Sequence, residues 1–569
     1  MNDFLLQEAK KYNVSAQFDI NKNLPSFQIT VKDHQLTIAA PDETELLYGV
    51  YDFAEKFNGF CFFEPGEDLF HADKVAKDLP DGVLIPARKP LLKNRGFIQE
   101  FPFDHETSML FDWMAKNKLN YLQTWLKYYD DLSEKVKQEA KIRGITIESG
   151  HHSFNYWISG KDYGKSHPEF FAEINGKRID PTSNRSSLLL SEQLCTTNPE
   201  LRNELVKNML LYCQKHPEIK YISLVPNDGF GWCECQNCSK FYDKNKRGDF
   251  YSISEHVYPA DKIYQQLFNE VADKLHKKRP DIILTMCAYI NYCRPSDGFK
   301  LKKGMAVNFA PYWRCVNHEI FDENCPINSH YKSDILAWSK IKDGGEINIY
   351  EYYMGVNFYL SLPLIHFREV FREIKWYADH HIDGILTQFH IAHWSVYGMN
   401  FYLMAKAARG ENSETTIDEV FKNVFGDNAQ KAKIFYTAVK DLLKNLGKCH
   451  ITYPYAILSR TTEEDFKVLV EKAKPLQNKD LIIWCEYMLK FKQLFDTYHN
   501  GKLKISDVDD FLNWIKKSGD KRVFVHSKFA TYFQALKDCL KNKKTWIHFN
   551  LDWEDQHILK QEKMFQKQQ

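Results

Sequence analysis

The sequence lacks a surplus of either charge, a long apolar run and a regular set of paired cysteines. Its 76 basic and 75 acidic residues leave a formal net charge of +1. That balance argues against the basic surface with which proteins bind nucleic acid. No run of about 18 apolar residues is present, so no membrane partner is expected. The cysteines number 13 and are irregularly spaced, which favours a reducing compartment over a disulfide framework.

A secretory signal is also missing from the amino-terminal residues. Residues 1–14 have the pattern of a short amphipathic helix, without an apolar core segment or a cleavage site. We therefore expect a cytoplasmic protein. With 569 residues, of which 44% are hydrophobic and 27% charged, the chain has a globular composition and is long enough for two to four domains.

Residues 1–90 predict a small α/β domain. Residues 27–31 and 35–39 alternate between apolar and polar side chains and suit a hairpin, and residues 60–63 suit a further strand. Between them, Asp42 is followed three residues later by Glu45 and then by an apolar helical pattern, which is the signature of a capped helix.

Residues 91–411 alternate between strand and helix patterns. The predicted strands are 95–98, 119–125, 144–149, 221–225, 282–289, 305–312, 347–352 and 384–390, and predicted helices include 132–142, 200–215, 261–278, 333–341 and 364–379. Eight such units predict a parallel sheet that closes into a (β/α)8 TIM barrel. Residues 291–304 show no clear helix, so a doubly wound α/β fold is the alternative.

Residues 412–569 contain no further strand pattern. Helices are predicted at 417–425, 429–446, 463–474, 481–498, 508–517 and 523–540. We therefore expect a helical carboxyl-terminal domain, which packs on the barrel or forms the contact of a homodimer.

The carboxyl ends of the predicted barrel strands are rich in acids, imidazoles and aromatic rings. In a TIM barrel these ends form the active site. Asp228 follows the fourth strand and Glu351 ends the seventh, nearly opposite in the ring. Two carboxyl groups that face each other are what glycoside hydrolysis requires, so we assign Asp228 as general acid and Glu351 as base or nucleophile. Glu148 is a reserve base, and Trp232 is expected to place Asp228 in an apolar setting.

The other rim residues are candidates for binding a carbohydrate. Aromatic rings can stack on sugar faces, histidines can bond hydroxyl groups, and an arginine fork could hold the carboxylate of a uronic acid. The predicted substrate-binding residues are Arg95 (or Arg314), Trp125, His151, His152, Asn227, Tyr289, Trp313, His390 and Trp394. The alternative for each is an ordinary structural role in the core or in a loop.

Cys233, Cys235 and Cys238 form a tight cluster just after Asp228. This spacing suits a structural zinc ion, with Cys195 as the fourth ligand and His256 as a substitute. Buried free thiols are the alternative. No cofactor is expected for catalysis itself.

The segment P-N-D-G at 226–229, the following C-x-C-x-x-C and the C-T-T-N-P-E at 195–200 resemble a largely uncharacterised bacterial family of glycosidase-like barrels. The resemblance covers about residues 1–410. The order of domains resembles family-67 α-glucuronidases, and the first domain is similar to that of family-20 hexosaminidases. Asn227-Asp228 looks like the Asn-Glu pair of the retaining glycosidase clan. The shorter Asp departs from that pair and favours an inverting mechanism.

These patterns together predict a glycoside hydrolase that cleaves an oligosaccharide or a uronide with two carboxyl groups. Two other hypotheses stay open: a non-catalytic carbohydrate-binding barrel, and a zinc-dependent hydrolase that uses the cysteine cluster. Loss of turnover with retained sugar binding in Asp228→Asn would separate the first from the second.

Overall fold

The computed structural model describes residues 2–104, 106–181, 193–229, 231–242, 259–354, 360–444 and 454–550. The first elements are α1 (Asp3–Lys11), β1 (Gln17–Ile20), β2 (Gln28–Lys32), β3 (Gln35–Ala40), α2 (Glu43–Phe57), β4 (Asn58–Glu64), β5 (Glu67–Val75) and β6 (Gly82–Ile85). A four-stranded sheet has the order β1-β3-β2-β6, and β4 pairs with β5.

The predicted hairpin and the capped helix are both present in this first part of the chain. Asp33 and His34 have positive φ angles of 51° and 61°, the conformation of the two-residue turns that join antiparallel strands. The Asp42 carboxylate accepts a hydrogen bond of 2.9 Å from the backbone N–H of Glu45, which satisfies an otherwise unpaired donor at the start of α2.

The next strands are β7 (Asn94–Gln99), β8 (Tyr121–Trp125), β9 (Thr146–Gly150), β10 (Glu173–Ile174), β11 (Lys177–Arg178), β12 (Tyr221–Ser223), β13 (Ile283–Ala288), β14 (Leu301–Lys302), β15 (Met305–Phe309), β16 (Lys342–Asp343), β17 (Glu346–Glu351) and β18 (Gly384–Gln388). Eight of them close a barrel in the order β7-β8-β9-β12-β13-β15-β17-β18, with β18 parallel to β7. The predicted TIM barrel is confirmed, and the doubly wound alternative is excluded.

Helices surround this barrel: α3 (Thr107–Lys116), α4 (Leu126–Asp130), α5 (Glu134–Ile142), α6 (Phe154–Trp157), α7 (Gly160–Tyr163), α8 (Pro199–Lys215), α9 (Asp261–His276), α10 (Pro326–Lys340), α11 (Arg368–Asp379) and α12 (Trp394–Arg409). The connection from β13 to β15, which is described throughout, contains a 3-10 turn and β14 and no α-helix. The absence of a clear helix pattern at residues 291–304 therefore reflects the fold itself.

The interior of the barrel is polar below its carboxyl end. Glu148 is completely buried and accepts hydrogen bonds from Tyr121 Oη at 2.8 Å, Gln123 Nε2 at 3.0 Å and Asn308 Nδ2 at 3.2 Å. Asn348 Nδ2 in turn donates to Asn308 Oδ1 at 3.0 Å. A buried network of several hydrogen bonds restrains its side chains, so it forms a firm floor for the space above it.

The carboxyl-terminal part is helical, as predicted: α13 (Ser413–Phe425), α14 (Ala429–Lys444), α15 (Pro454–Ser459), α16 (Glu463–Ala473), α17 (Lys479–His499), α18 (Ile505–Lys517), α19 (His526–Lys541) and α20 (Ile547–Asn550). It packs on the barrel loops, where Trp484 Nε1 donates to Ser361 O at 2.8 Å. Within the described ranges, every helix is too short or too polar to cross a membrane.

Candidate active site

A cavity of about 250 Å³ opens at the carboxyl ends of the barrel strands. Its described lining combines two carboxyl groups, two imidazoles, three amides, five large aromatic rings and small apolar side chains. These residues are Glu100, Gln123, Trp125, His151, His152, Val225, Asp228, Cys287, Tyr289, Asn308, Ala310, Tyr312, Tyr350, Tyr352 and Gln388. Of the predicted site residues, the structure brings Trp125, His151, His152, Asp228 and Tyr289 together here.

Glu100 is the carboxyl group of this cavity that the sequence analysis missed. Its Oε1 atom accepts hydrogen bonds from His151 Nε2 at 3.1 Å, Tyr350 Oη at 2.6 Å and Gln388 Nε2 at 2.8 Å. Burial acts to raise the pKa of Glu100, but the three donors, led by His151, outweigh it and lower the pKa to about 2. Glu100 is therefore a carboxylate at neutral pH. The sequence did contain a signal for this position. Side chains two residues apart on a strand face the same side, and Glu100 lies two residues after Ile98, which faces the barrel interior.

His151 and His152 both reach the cavity, although neighbouring residues of an extended strand point to opposite sides. His151 has a φ of +68°, which turns the backbone, and its ring stacks on Trp125 with centroids 4.5 Å apart. His152 Nδ1 lies 2.5 Å from Pro226 O, so it carries the proton and donates. Burial, with the charge of His151, lowers the pKa of His152, and its Nε2 faces Asp228 Oδ1 at 3.9 Å.

Asp228 lies at the rim, where its side chain is 46% exposed. Tyr289 Oη donates to Asp228 Oδ1 at 3.4 Å. The expected apolar setting is wrong, because Trp232 is buried away from the cavity lining and packs on Tyr292 with centroids 5.6 Å apart. Asp228 is thus accessible to a substrate and to water.

Asn227 shapes the loop beside Asp228 and does not line the cavity. Its Oδ1 accepts from the backbone N–H of Asn155 at 2.9 Å, and its carbonyl oxygen accepts from Gln193 Nε2 at 2.7 Å. Asn227 was predicted to bind the substrate, but in the structure it holds the loop beside Asp228 in place.

Glu351 does not face Asp228 across the cavity, which corrects the predicted pair. Its neighbours Tyr350 and Tyr352 line the cavity, so Glu351 points outward between them. There it is fully buried and ion-paired with Arg314, which also binds Glu373. Burial, with the charge of Glu373, raises the pKa of Glu351 to about 7, against the opposing effect of Arg314.

Arg95 and Trp394 also lie away from the cavity. Arg95 is buried at the start of β7, where Nε donates to Lys118 O at 3.0 Å and Nη1 to Leu92 O at 2.9 Å. Burial lowers its pKa to about 10. Trp394 is buried at the start of α12, with its ring 4.7 Å from that of Trp113. Neither side chain can contact a ligand at the carboxyl end of the barrel.

Trp313 and His390 lie next to cavity residues without lining the cavity themselves. Trp313 packs edge-on against Tyr312 with centroids 4.6 Å apart. His390 Nδ1 accepts from the backbone N–H of Ala392 at 3.1 Å, its ring lies 4.8 Å from that of Phe101, and burial lowers its pKa to about 4. Both side chains therefore pack beside the rim of the cavity and do not line it. Glu148, the reserve base, lies in the floor with a pKa raised by burial.

The four cysteines that the sequence analysis grouped are gathered in one place. The sulfur atoms of Cys195, Cys233, Cys235 and Cys238 all lie within 4.8 Å of one another, and all four side chains are buried. Cys195 Sγ is 3.7 Å from Cys235 Sγ and 3.9 Å from Cys238 Sγ. The substitute ligand, His256, falls outside the described residues.

The closed barrel with this polar, aromatic cavity is a (β/α)8 protein, and solved structures with a similar fold include glycoside hydrolases. One is a family GH115 4-O-methyl-α-glucuronidase with specificity for decorated arabinogalactans, at 10% identity and a TM-score of 0.52 over 93% of this chain and 69% of that one. Another is a β-N-acetylhexosaminidase from Bacteroides fragilis, at 13% identity and a TM-score of 0.45 over 72% and 83%. A family-20 β-N-acetylglucosaminidase has 12% identity and a TM-score of 0.43 over 76% and 91%.

At 10% identity, the likeness to the GH115 enzyme shows a shared fold. Residues 87–437 match the family described as "Domain of unknown function (DUF4838)", and the chain belongs to this family. No curated protein matches the sequence. These findings fit the uncharacterised family of glycosidase-like barrels, whereas the motif that suggested this family and the likeness to family-67 enzymes stay predictions.

Proposed function

We propose that this protein is a glycoside hydrolase in which Glu100 and Asp228 are the two reacting carboxyl groups. The supporting observation is that both lie in one aromatic-lined cavity at the end of the barrel where TIM-barrel active sites form. Glycoside hydrolysis needs two such groups on either side of the scissile bond. Glu100 takes the place that the sequence analysis gave to Glu351.

The surroundings of the two groups favour different roles. The three donors that bind Glu100 all fall on Oε1, and Oε2 receives none of them. A carboxylate with a pKa of about 2 is a weak base but a stable negative charge, which suits a nucleophile facing the anomeric carbon. Asp228, near solvent and close to Tyr289 and His152, suits the group that exchanges protons with the leaving oxygen and with water.

This assignment predicts that the anomeric configuration is retained. The short side chain of Asp228 favours inversion instead, so the two arguments predict opposite anomers. Proton NMR of the first product formed from an aryl glycoside measures the outcome directly. The same anomer as in the substrate supports Glu100 as nucleophile, and the opposite anomer assigns Glu100 as a base that acts through water.

The cavity favours a neutral glycoside over a uronide. Among its described lining residues there is no lysine or arginine, and Arg95 and Arg314 are both engaged elsewhere. A substrate carboxylate would meet Glu100 and Asp228 without a positive partner, and like charges at close range are costly. In a panel of aryl glycosides and aryl uronides, we expect turnover of neutral sugars, and hydrolysis of uronides alone would overturn this choice.

Three isosteric variants test the catalytic pair. Asp228→Asn and Glu100→Gln are each expected to lower kcat by about 10²–10⁴-fold, the usual contribution of an acid–base group. Glu351→Gln is the matched control, because it removes a barrel carboxyl that lies outside the cavity, and it should keep near-normal turnover.

Binding must be measured beside turnover for all three variants, for example by calorimetry with a slow substrate. Binding that persists in Asp228→Asn without turnover supports the enzyme. Wild-type protein that binds sugars but turns over none would identify a carbohydrate-binding barrel instead. Full activity in both Asp228→Asn and Glu100→Gln would remove the proposed pair.

A further inference from the structure

We propose that Cys195, Cys233, Cys235 and Cys238 hold one structural zinc ion that fastens the loop carrying Asp228. The geometry fits this ion. Four sulfurs about 2.3 Å from a tetrahedral zinc lie about 3.8 Å apart, and the measured separations from Cys195 Sγ are 3.7 and 3.9 Å. The cysteines come from two separate segments, so the fold and not only a short motif assembles the set.

Polar groups that can donate to a thiolate lie beside two of the four sulfurs, those of Cys233 and Cys238. The backbone N–H of Glu173 donates to Cys233 Sγ at 3.3 Å, and Arg178 Nη1 lies 3.8 Å from the same sulfur. Thr197 Oγ1 lies 3.1 Å from Cys238 Sγ. Donors of this kind commonly surround metal-bound ligands and stabilise their charge. As thiolates, these four buried groups would need a cation among them, because unpaired buried charges are prohibitively costly.

The ion would act on the loop and not on the substrate. Four thiolates complete a tetrahedral site and leave no position for water, which is the arrangement of structural zinc. Gln193, two residues before Cys195, donates from Nε2 to Asn227 O at 2.7 Å and to Gly229 O at 3.4 Å. These carbonyls flank Asp228, and Cys233 follows in the same loop. Holding Cys195 against Cys233 therefore holds Asp228 from both sides. A closed site of four cysteines also argues against a zinc-dependent hydrolase, which needs an open coordination position for water.

Metal content of the purified protein tests the site without any assay of activity. Protein made with zinc in the medium and kept reduced should contain about one zinc per chain by mass spectrometry. Cys233→Ser and Cys238→Ser should each lose most of it. Cys213→Ser is the matched control, since Cys213 is a buried thiol elsewhere and its loss should leave the zinc in place. Asp228→Asn should also keep the zinc, whatever becomes of its turnover.

A measurement on the wild-type chain guards against variants that fail to fold. Titration with an organomercurial should release zinc to a chromogenic chelator as four thiols react. Cobalt(II) reconstitution should give the intense visible bands of tetrahedral thiolate coordination. After zinc removal, amide hydrogens at 224–242 should exchange at least about 10-fold faster, since metal binding contributes to folding energy. Wild-type protein without metal after zinc reconstitution, or zinc retained by both Cys233→Ser and Cys238→Ser, would overturn the proposal.

Discussion

Arg314 lies between two buried carboxyl groups, those of Glu351 and Glu373. A charge buried in this way is tolerated only while its partners are present. We expect Arg314→Met to lower the free energy of unfolding by about 3–5 kcal/mol, because it leaves two carboxyls without a cation. Urea unfolding followed by circular dichroism gives the value.

Glu351→Gln provides the comparison at the same site. Since burial raises the pKa of Glu351 to about 7, glutamine mimics a form that is already populated, and a loss near 1 kcal/mol is expected. If both variants lowered the free energy of unfolding by the same amount, Arg314 would not be the cation that neutralises Glu351 and Glu373.

Strand alternation decided which acids of the sequence reach the cavity. Ile347 and Ile349 share the outward face with Glu351, and both are buried against the helices. Tyr350 and Tyr352 share the inward face. A run rich in apolar residues on both faces hides this alternation, so the sequence placed Glu351 at a strand end without fixing its direction. Strand alternation does not decide the direction of Asp228, because this residue lies in the loop beyond its strand.

At the scale of the element, β7 shows how closely the barrel strands approach. A Cβ atom added at Gly96 would lie 1.6 Å from Tyr121 O on β8, and a backbone atom cannot give way as a flexible side chain can. We expect Gly96→Ala to cost at least about 3 kcal/mol of unfolding free energy, at the upper end for overpacked cores.

Gly501→Ala is the matched control for this strand variant. Gly501 has a φ of +68° and open space around its Cβ position, so alanine there adds backbone strain alone, about 1–2 kcal/mol. Thermal or urea unfolding of both variants measures the difference. A Gly96→Ala protein as stable as Gly501→Ala would show that β7 and β8 separate easily.

The elements themselves were largely accessible from the sequence. All eight barrel strands were predicted, and so was the missing helix between β13 and β15, because periodicity and turn residues are local signals. The named predictions did not include α3 and α12, nor the short helices α4, α6, α7, α15 and α20. Each of these short helices spans six residues or fewer and gives little periodic pattern. The sequence suggested that Cys195 joins Cys233 because both are possible zinc ligands. The distances between their sulfur atoms could be known only from the folded structure.

At the scale of the whole molecule, several histidines are partly buried in different parts of the chain. Burial lowers the pKa of His330, His366, His390 and His548 to about 4 from 6.5. Between these values the unfolded chain binds protons that the folded chain does not, so stability falls as pH falls. From pH 7 to pH 5, each of these four histidines is expected to lower the free energy of unfolding by about 2 kcal/mol. The raised pKa values of Glu64 and Glu351, both about 7, offset part of the total.

Urea unfolding at several pH values, in buffers of equal ionic strength, measures this loss. His366→Gln cannot take up the proton and should flatten the dependence, which makes it the control. A free energy of unfolding that stays constant between pH 7 and pH 5 would contradict the prediction. The homodimer and the domain boundaries proposed from the sequence stay predictions at this scale.

Arg522 joins parts of the molecule that are far apart in the chain. It lies in the connection before α19, donates to Glu106 Oε1 at 2.8 Å, and pairs with Glu64 at 3.3 Å. Glu106 and Arg522 are 416 positions apart. A ribosome that adds 5–20 residues per second needs roughly 20–80 s to cover that distance. During translation, Glu64 and Glu106 are therefore made well before Arg522, and these ion pairs can form only after most of the chain has been synthesised.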